Sequence, residues 1–162
     1  MRLFAALWPP EEVRSWLADA AARLTHDLPA GSRIVSAANL RATLAFYGDR
    51  DDPAELKHGL EPFSEGLEVT PGGSGTFPSP TRARVVWIGL QAPGFAALCA
   101  HAASVGGLDP ASGQTPHVTV ARLKRPFSLA GLPDVPAGPS ARWSVRLVRS
   151  HLGPRGARYE IL

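Results

Sequence analysis

In Pro116-His117-Val118-Thr119-Val120-Ala121-Arg122 an imidazole stands two residues before a hydroxyl, within a run that alternates polar and apolar side chains. Val118, Val120 and the β-branched Thr119 favour a strand. Successive strand side chains point to opposite faces, so His117 and Thr119 share one face and the valines take the other. A group that can carry or accept a proton at neutral pH therefore sits beside a hydrogen-bonding hydroxyl, a pairing that suits a phosphate ester. The segment at residues 39–48, Asn-Leu-Arg-Ala-Thr-Leu-Ala-Phe-Tyr-Gly, reads as a second strand of the same period, with Arg41 and Thr43 on one face. The two x-Thr pairs lie 76 residues apart (117 minus 41) in a chain of 162. That spacing implies two similar halves, which across a cleft would offer His, Thr, Arg and Thr to one ligand.

The elements that must hold these residues can be placed along the chain. Residues 3–8 predict a strand that Pro9-Pro10 stops, and Glu11 and Glu12 then suit the first turn of a helix running to about residue 24. A short extended piece at 33–35 leads to the strand carrying Arg41. Asp52 before Pro53 predicts a capped helix over 53–63. Residues 67–70 and 75–78 read as two strand fragments split by a Pro-Gly-Gly-Ser turn. Residues 85–90, the most β-prone run, predict a central strand, followed by a helix over 93–105 and a loop over 106–114. Residues 125–140 hold too much Pro and Gly for a long helix, and 142–152 with 157–162 predict a closing hairpin. The order is that of an α+β protein with mainly antiparallel sheet.

Composition sets limits on partners and compartment. A chain of 162 residues, 44% apolar, fits one compact domain or two small lobes sharing a core. Its 17 Lys and Arg against 14 Asp and Glu permit a phosphate-bearing ligand without requiring one. A single Cys99 allows no intramolecular disulfide, and no Cys/His spacing matches a structural zinc site. The apolar opening is short and ends in Pro9-Pro10, which reads as a strand and not a signal peptide. No apolar run approaches the roughly 20 residues of a membrane helix. A cytoplasmic protein with no membrane partner is expected.

Taken together these residues resemble the 2H phosphoesterase superfamily, in its bacterial RNA 2′,3′-cyclic phosphodiesterase branch, historically called 2′-5′ RNA ligases. That family carries two His-x-Thr-x motifs. The second stands here as His117-Val118-Thr119-Val120, with Arg122 where the family also tends to have arginine. The first keeps its frame, Asn39-Leu40 before and Thr43-Leu44-Ala45-Phe46 to Gly48 after, but Arg41 occupies its histidine position. Further similarity lies in Arg2-Leu3-Phe4-Ala5-Ala6-Leu7 with Pro9-Pro10, in Arg84-Val85-Val86-Trp87-Ile88-Gly89-Leu90, and in Ser150-x-Leu152-x-Pro154-x-Gly156-Ala157-x-Tyr159. The resemblance implies a single 2H phosphoesterase domain over residues 1–162, with two pseudo-symmetric lobes of mainly antiparallel sheet and outer helices around a central cleft. It implies His117 and Arg41 as catalytic residues, Thr43, Thr119 and Arg122 as substrate-binding residues, and no metal or cofactor. The implied partner is RNA or a nucleotide with a 2′,3′-cyclic phosphate, and a monomer is expected.

Hydrolysis of such a phosphate needs a base for water and an acid for the departing ribose oxygen, on opposite sides of phosphorus. Two histidines across a cleft can do both at pH 7 while two threonines hold the non-bridging oxygens. In the family the product is typically the 2′-phosphate, and the reverse step with a 5′-hydroxyl is ligation. Arg41 breaks this symmetry: its guanidinium is a poor acid or base at pH 7, yet can still stabilise a developing oxyanion. Losing one acid/base partner typically costs about 10²- to 10⁴-fold in rate. Three outcomes stay open: a slow phosphodiesterase using His117 alone, a site in which another group replaces the first histidine, or a nucleotide- or RNA-end-binding protein without turnover. Tyr47 and His151 are the replacement candidates, Tyr47 having the strand parity that points away from the cleft. The parity of Phe46 matches Leu44 and not Thr43, which predicts core packing and not base stacking. The four tryptophans are expected in the core or at the lobe junction, and His26, His58 and His101 at the surface or in structural roles. Lys124 and Arg125 are read only as drawing RNA in by charge.

Overall fold

The computed structural model describes Met1–Leu162. In chain order the strands and α-helices are β1 (Arg2–Trp8), α1 (Glu11–Thr25), β2 (Arg33–Ile34), β3 (Ala42–Asp49), α2 (Ala54–Leu60), β4 (Leu67–Phe77), β5 (Ala83–Gln91), α3 (Phe95–Val105), β6 (His117–Phe127), β7 (Ala141–Gly153) and β8 (Gly156–Ile161). Every strand pairing is antiparallel, so the class is α+β.

Leu3 to Leu7 of β1 are all apolar and all buried, as a strand covered on both faces requires. It lies between β3 and β7, and β8 turns back along the far side of β7. The other half is built in the order β2, β6, β5, β4. The halves meet where Leu67–Val69 of β4 pair with Trp143–Ala141 of β7. The helix α1, started by Pro10 with Glu11 and Glu12 at its positive end, buries Val13, Leu17, Ala20 and Leu24. It packs against β5 and β6, whereas α3 packs against β3. α1 and α3 thus each cover the sheet half opposite to the one their preceding strand belongs to. One continuous apolar cluster of 31 buried residues links the halves.

Three expectations about elements are corrected. The helix expected over 53–63 is α-helical only to Leu60 and tightens into a 3₁₀ turn over Glu61–Phe63, because Pro62 cannot donate to the helical ladder. Asp52 does accept the Ala54 N–H at 2.9 Å ahead of it. The two fragments at 67–70 and 75–78 are one strand, β4, with the register shift falling between Pro71 and Ser74. There Gly73 takes a φ of +75°, open to glycine, and donates to the Val135 carbonyl at 2.7 Å, while the Pro71 carbonyl accepts from Gly138 at 2.8 Å. The 133–138 loop satisfies the backbone that the neighbouring strand leaves, so the strand continues through its own bulge. Finally β3 begins at Ala42; Arg41 lies just ahead of it, after a 3₁₀ turn over Ala37–Asn39.

Candidate active site

A cleft of about 230 Å³ opens between β3 and β6. Arg41, Thr43 and Phe46 line it from one side and His117, Thr119 and Arg122 from the other. All five residues singled out from the sequence therefore border one space. Phe46 was expected in the core; instead it is 59% exposed at the cleft, and Gln114 from the preceding loop joins the lining.

Two matching irregularities explain who reaches the cleft. On β6, His117 faces Gly89, Thr119 faces Trp87 and Arg122 faces Val85, while the register slips by one residue at Val120. Gly89, Trp87 and Val85 share one face of β5, so the extra residue carries Arg122 onto the face of His117 and Thr119 despite its opposite sequence parity. On β3, Thr43 faces Ala6 and Phe46 faces Phe4, again with one extra residue, Leu44, between them. Ala6 and Phe4 share a face, so Phe46 joins Thr43. Strict alternation failed for Phe46 because it ignores the bulge. The signal that could have found it is the internal repeat: 122 minus 76 is 46, so Phe46 is the counterpart of Arg122.

His117 packs edge-on to Phe77, ring centroids 5.1 Å apart, and lies 6.1 Å from Trp87. Its Nδ1 stands 2.7 Å from the Thr115 carbonyl. A carbonyl only accepts, so Nδ1 carries the hydrogen and Nε2, which no protein group engages, presents its lone pair. Burial is the main force pulling the imidazole pKa below its ordinary value; the bond to Thr115 opposes it, and Arg122 and Arg41 add to the lowering. His117 is a neutral imidazole at pH 7.

Arg41 is a wall residue and not a solvated edge charge, being only 9% exposed. Its guanidinium lies 5.3 Å from the Phe4 ring centre and 4.7 Å from that of Tyr159. One terminal nitrogen donates to the Asn39 carbonyl at 3.2 Å and the other to the Tyr159 hydroxyl at 3.1 Å. Asn39 is itself tied to β8, its side-chain amide donating to the Ala157 carbonyl at 3.1 Å. Nε is buried without a partner. Desolvation lowers the Arg41 pKa, Tyr159 resists that, and Arg122 adds like-charge repulsion. Tyr159, from β8, was not singled out by the sequence as a group near the cleft; nothing in local spacing links position 159 to position 41.

Neither replacement candidate supplies the missing acid/base group. The Tyr47 hydroxyl donates to the Ala102 carbonyl at 2.9 Å in the core, and burial pushes its pKa up to about 12. His151 pairs with Glu160 across β7 and β8 at 2.7 Å and does not line the cleft. Cys99, buried and raised to about 11, is inert as a nucleophile. His26 and His58 are exposed, and His101 stacks on Phe63 with centroids 4.7 Å apart. No three His, Cys, Asp or Glu side chains cluster into a metal-ligating group. A roomier hollow of about 420 Å³ beside α2 holds His58 and Glu61, which face each other at 3.7 Å. It brings no hydroxyl pair and no arginine pair to a shared centre. In the β3–β6 cleft two guanidinium groups, two unengaged threonine hydroxyls and a neutral imidazole converge without a carboxylate, an arrangement made for an anion.

Comparison with known proteins places the chain in a family. Residues 7–87 match the family described as LigT like phosphoesterase, a span that contains Arg41, Thr43 and Phe46. The chain is 32% identical to an RNA 2′,3′-cyclic phosphodiesterase of Thermus thermophilus, over all of this chain and 88% of that protein. A crystal structure of TT0787, from the same species, superposes with a TM-score of 0.80 at 30% identity, covering 100% of this chain and 95% of that one. Escherichia coli LigT in complex with 3′-AMP superposes with a TM-score of 0.71 at 28% identity, covering 99% and 94%. No helix is long and apolar enough to cross a membrane.

Proposed function

The chain belongs to the LigT-like phosphoesterases of the 2H superfamily, and on that footing we propose that it hydrolyses the 2′,3′-cyclic phosphate end of RNA or of a nucleotide to a 2′-phosphate. The observation that carries the reading is the neutral His117 with Nε2 free, set across the cleft from the Arg41 guanidinium. Nε2 takes a proton from water as the water oxygen attacks phosphorus. The P–O3′ bond breaks, the electron pair leaves on O3′, and Arg41 faces that developing charge before water protonates it. Thr43 and Thr119 hold the non-bridging oxygens, and Arg122 binds phosphate from the His117 side. Phe46 offers a flat apolar surface at the cleft mouth for the nucleoside. Side chains supply the base, the cation and the hydroxyls, so the step is written without a metal.

The buried, clamped Arg41 also favours a second reading. With no acid to protonate the leaving oxygen, the same cleft suits a protein that recognises a nucleotide or RNA end without turnover. Turnover of a nucleoside 2′,3′-cyclic phosphate by wild type, His117→Ala and Arg41→His, with the product position resolved, separates the two. The proposal expects slow formation of 2′-phosphate, its abolition in His117→Ala, and acceleration in Arg41→His by a good part of the roughly 10²- to 10⁴-fold that general acid catalysis is worth. A wild type that binds nucleotide but is inert, with turnover only in Arg41→His, would establish the binding reading.

A further inference from the structure

Resting on the phosphate reading of the cleft, we propose that a basic groove running from Arg122 along the outer end of β6 binds the backbone of single-stranded RNA upstream of the reacting end. Three hollows lie in series. The cleft shares Arg122 with a hollow of about 300 Å³ bordered also by Arg33 and Lys124. That hollow in turn shares Lys124 with one of about 430 Å³ bordered by Arg125 and Phe127. The register explains the continuity: Arg33 of β2 faces Arg122 directly, and Arg122 and Lys124 flank the buried Leu123, so all three cations stand on one side. The Lys124 stem runs past Gly31, where an added Cβ would come within 3.8 Å of it.

Charge is sorted here in a way the net charge does not show. The protein carries 14 Asp and Glu, yet none borders any of the three hollows. No Arg or Lys anywhere in the protein forms an ion pair; the three salt bridges are all made by histidines. Four exposed cations in a line, two of them opposite one another across a strand pair, repel each other unless something anionic lies between them. The stretch from Arg122 to Phe127 lies against only Val85 to Ala83, so three extra residues bulge β6 where Lys124 and Arg125 stand. It ends at a 45% exposed phenylalanine on which a base can stack. A narrow groove that begins in the phosphate cleft fits one flexible polyanion and not a flat anionic membrane.

The test pairs binding with turnover. Binding of a short oligoribonucleotide ending in 2′-phosphate, followed by fluorescence polarisation, needs no catalysis and so stands even if the cleft proves inert. The expected result is that Arg33→Gln/Lys124→Gln/Arg125→Gln binds this oligonucleotide at least 10-fold more weakly while binding of 2′-AMP is unchanged. Each lost phosphate contact flattens the slope of log affinity against log salt by about 0.7, so three flatten it by about 2. If wild type turns over, its preference for an oligonucleotide over a mononucleotide cyclic phosphate falls in the same variant. Lys57→Gln/Arg142→Gln/Arg155→Gln removes the same charge from exposed sites outside the three hollows and leaves the preference intact. Equal losses in both triple variants, or wild-type affinities for the oligonucleotide and 2′-AMP that do not differ, overturn the proposal. So does a loss confined to phosphatidylserine vesicles, which would give the groove to a membrane. Loss of 2′-AMP binding by wild type itself would instead remove the phosphate reading.

Discussion

His117 opens β6 and Arg41 lies just ahead of β3, and the two side chains are held in opposite ways. The Thr115 carbonyl and the surrounding rings keep His117 uncharged with Nε2 open. Two aromatic faces, a carbonyl and a phenol keep Arg41 charged and fixed. The Arg41 clamp leaves unengaged N–H groups beyond the two that are bonded, so it can face an anion without releasing its anchors. The burial-lowered pKa of His117 sets a pH dependence. A base must be unprotonated, and protonation occurs only below a pKa that already lies under the ordinary value of 6.5. Activity per free enzyme therefore rises with pH on the acid side with its midpoint below 6.5, and levels off sooner than an ordinary imidazole would allow. Following the His117 ring protons by NMR checks this. Arg122→Gln, which removes one of the charges lowering the pKa, moves the midpoint upward towards 6.5. A midpoint above 6.5 in the wild type would contradict the lowering by burial.

At the scale of elements, one-residue bulges in β3 and β6 decide the content of the cleft, and the packing behind β6 decides its rigidity. Gly75 of β4 faces Trp87 of β5, and a Cβ there would stand 2.2 Å from the indole. The half-buried Trp87 has Phe77 5.2 Å away between ring centres and His117 6.1 Å away. Gly75→Ala is therefore expected to drive the indole against His117. It should lower kcat by roughly 10- to 100-fold, the range a displacement of about 1 Å can cost, while KM changes little. Gly131→Ala, whose Cβ would meet nothing within 4 Å, leaves kcat unchanged. Steady-state kinetics with tryptophan fluorescence distinguishes a moved indole from a loss of folded protein.

At the scale of the molecule, the joint between the sheet halves is the critical packing point. Trp143 is fully buried where β7 meets β4, and the Gly66 backbone, with φ of +68°, lies so close that a Cβ would strike the Trp143 carbonyl at 1.8 Å. Trp143→Ala leaves a large cavity there and should cost about 3–5 kcal/mol in urea unfolding. Trp143→Phe should cost less, because the indole Nε1 it removes is buried without a partner. Since the apolar cluster of 31 residues spans both halves and α1 and α3 each pack across onto the other half, unfolding should be a single transition in both variants. Two resolved transitions would show halves that fold independently, against the single-domain expectation.

The sequence by itself determined the strands, because apolar alternation and β-branching are local properties: residues 3–8, 85–90 and 117–122 need no distant partner to be read as β. It also determined which residues belong to the cleft wherever the 76-residue repeat could be followed, since a duplicated pattern implies a duplicated position. Strict alternation missed that Phe46 faces out, because a bulge is defined against the neighbouring strand, and only its repeat counterpart Arg122 hinted at it in the sequence. Only the tertiary structure placed Tyr159 on Arg41, across 118 residues of chain, and Arg33 opposite Arg122. Such contacts depend on strand order and register, which pairing across the sheet sets and no local window contains.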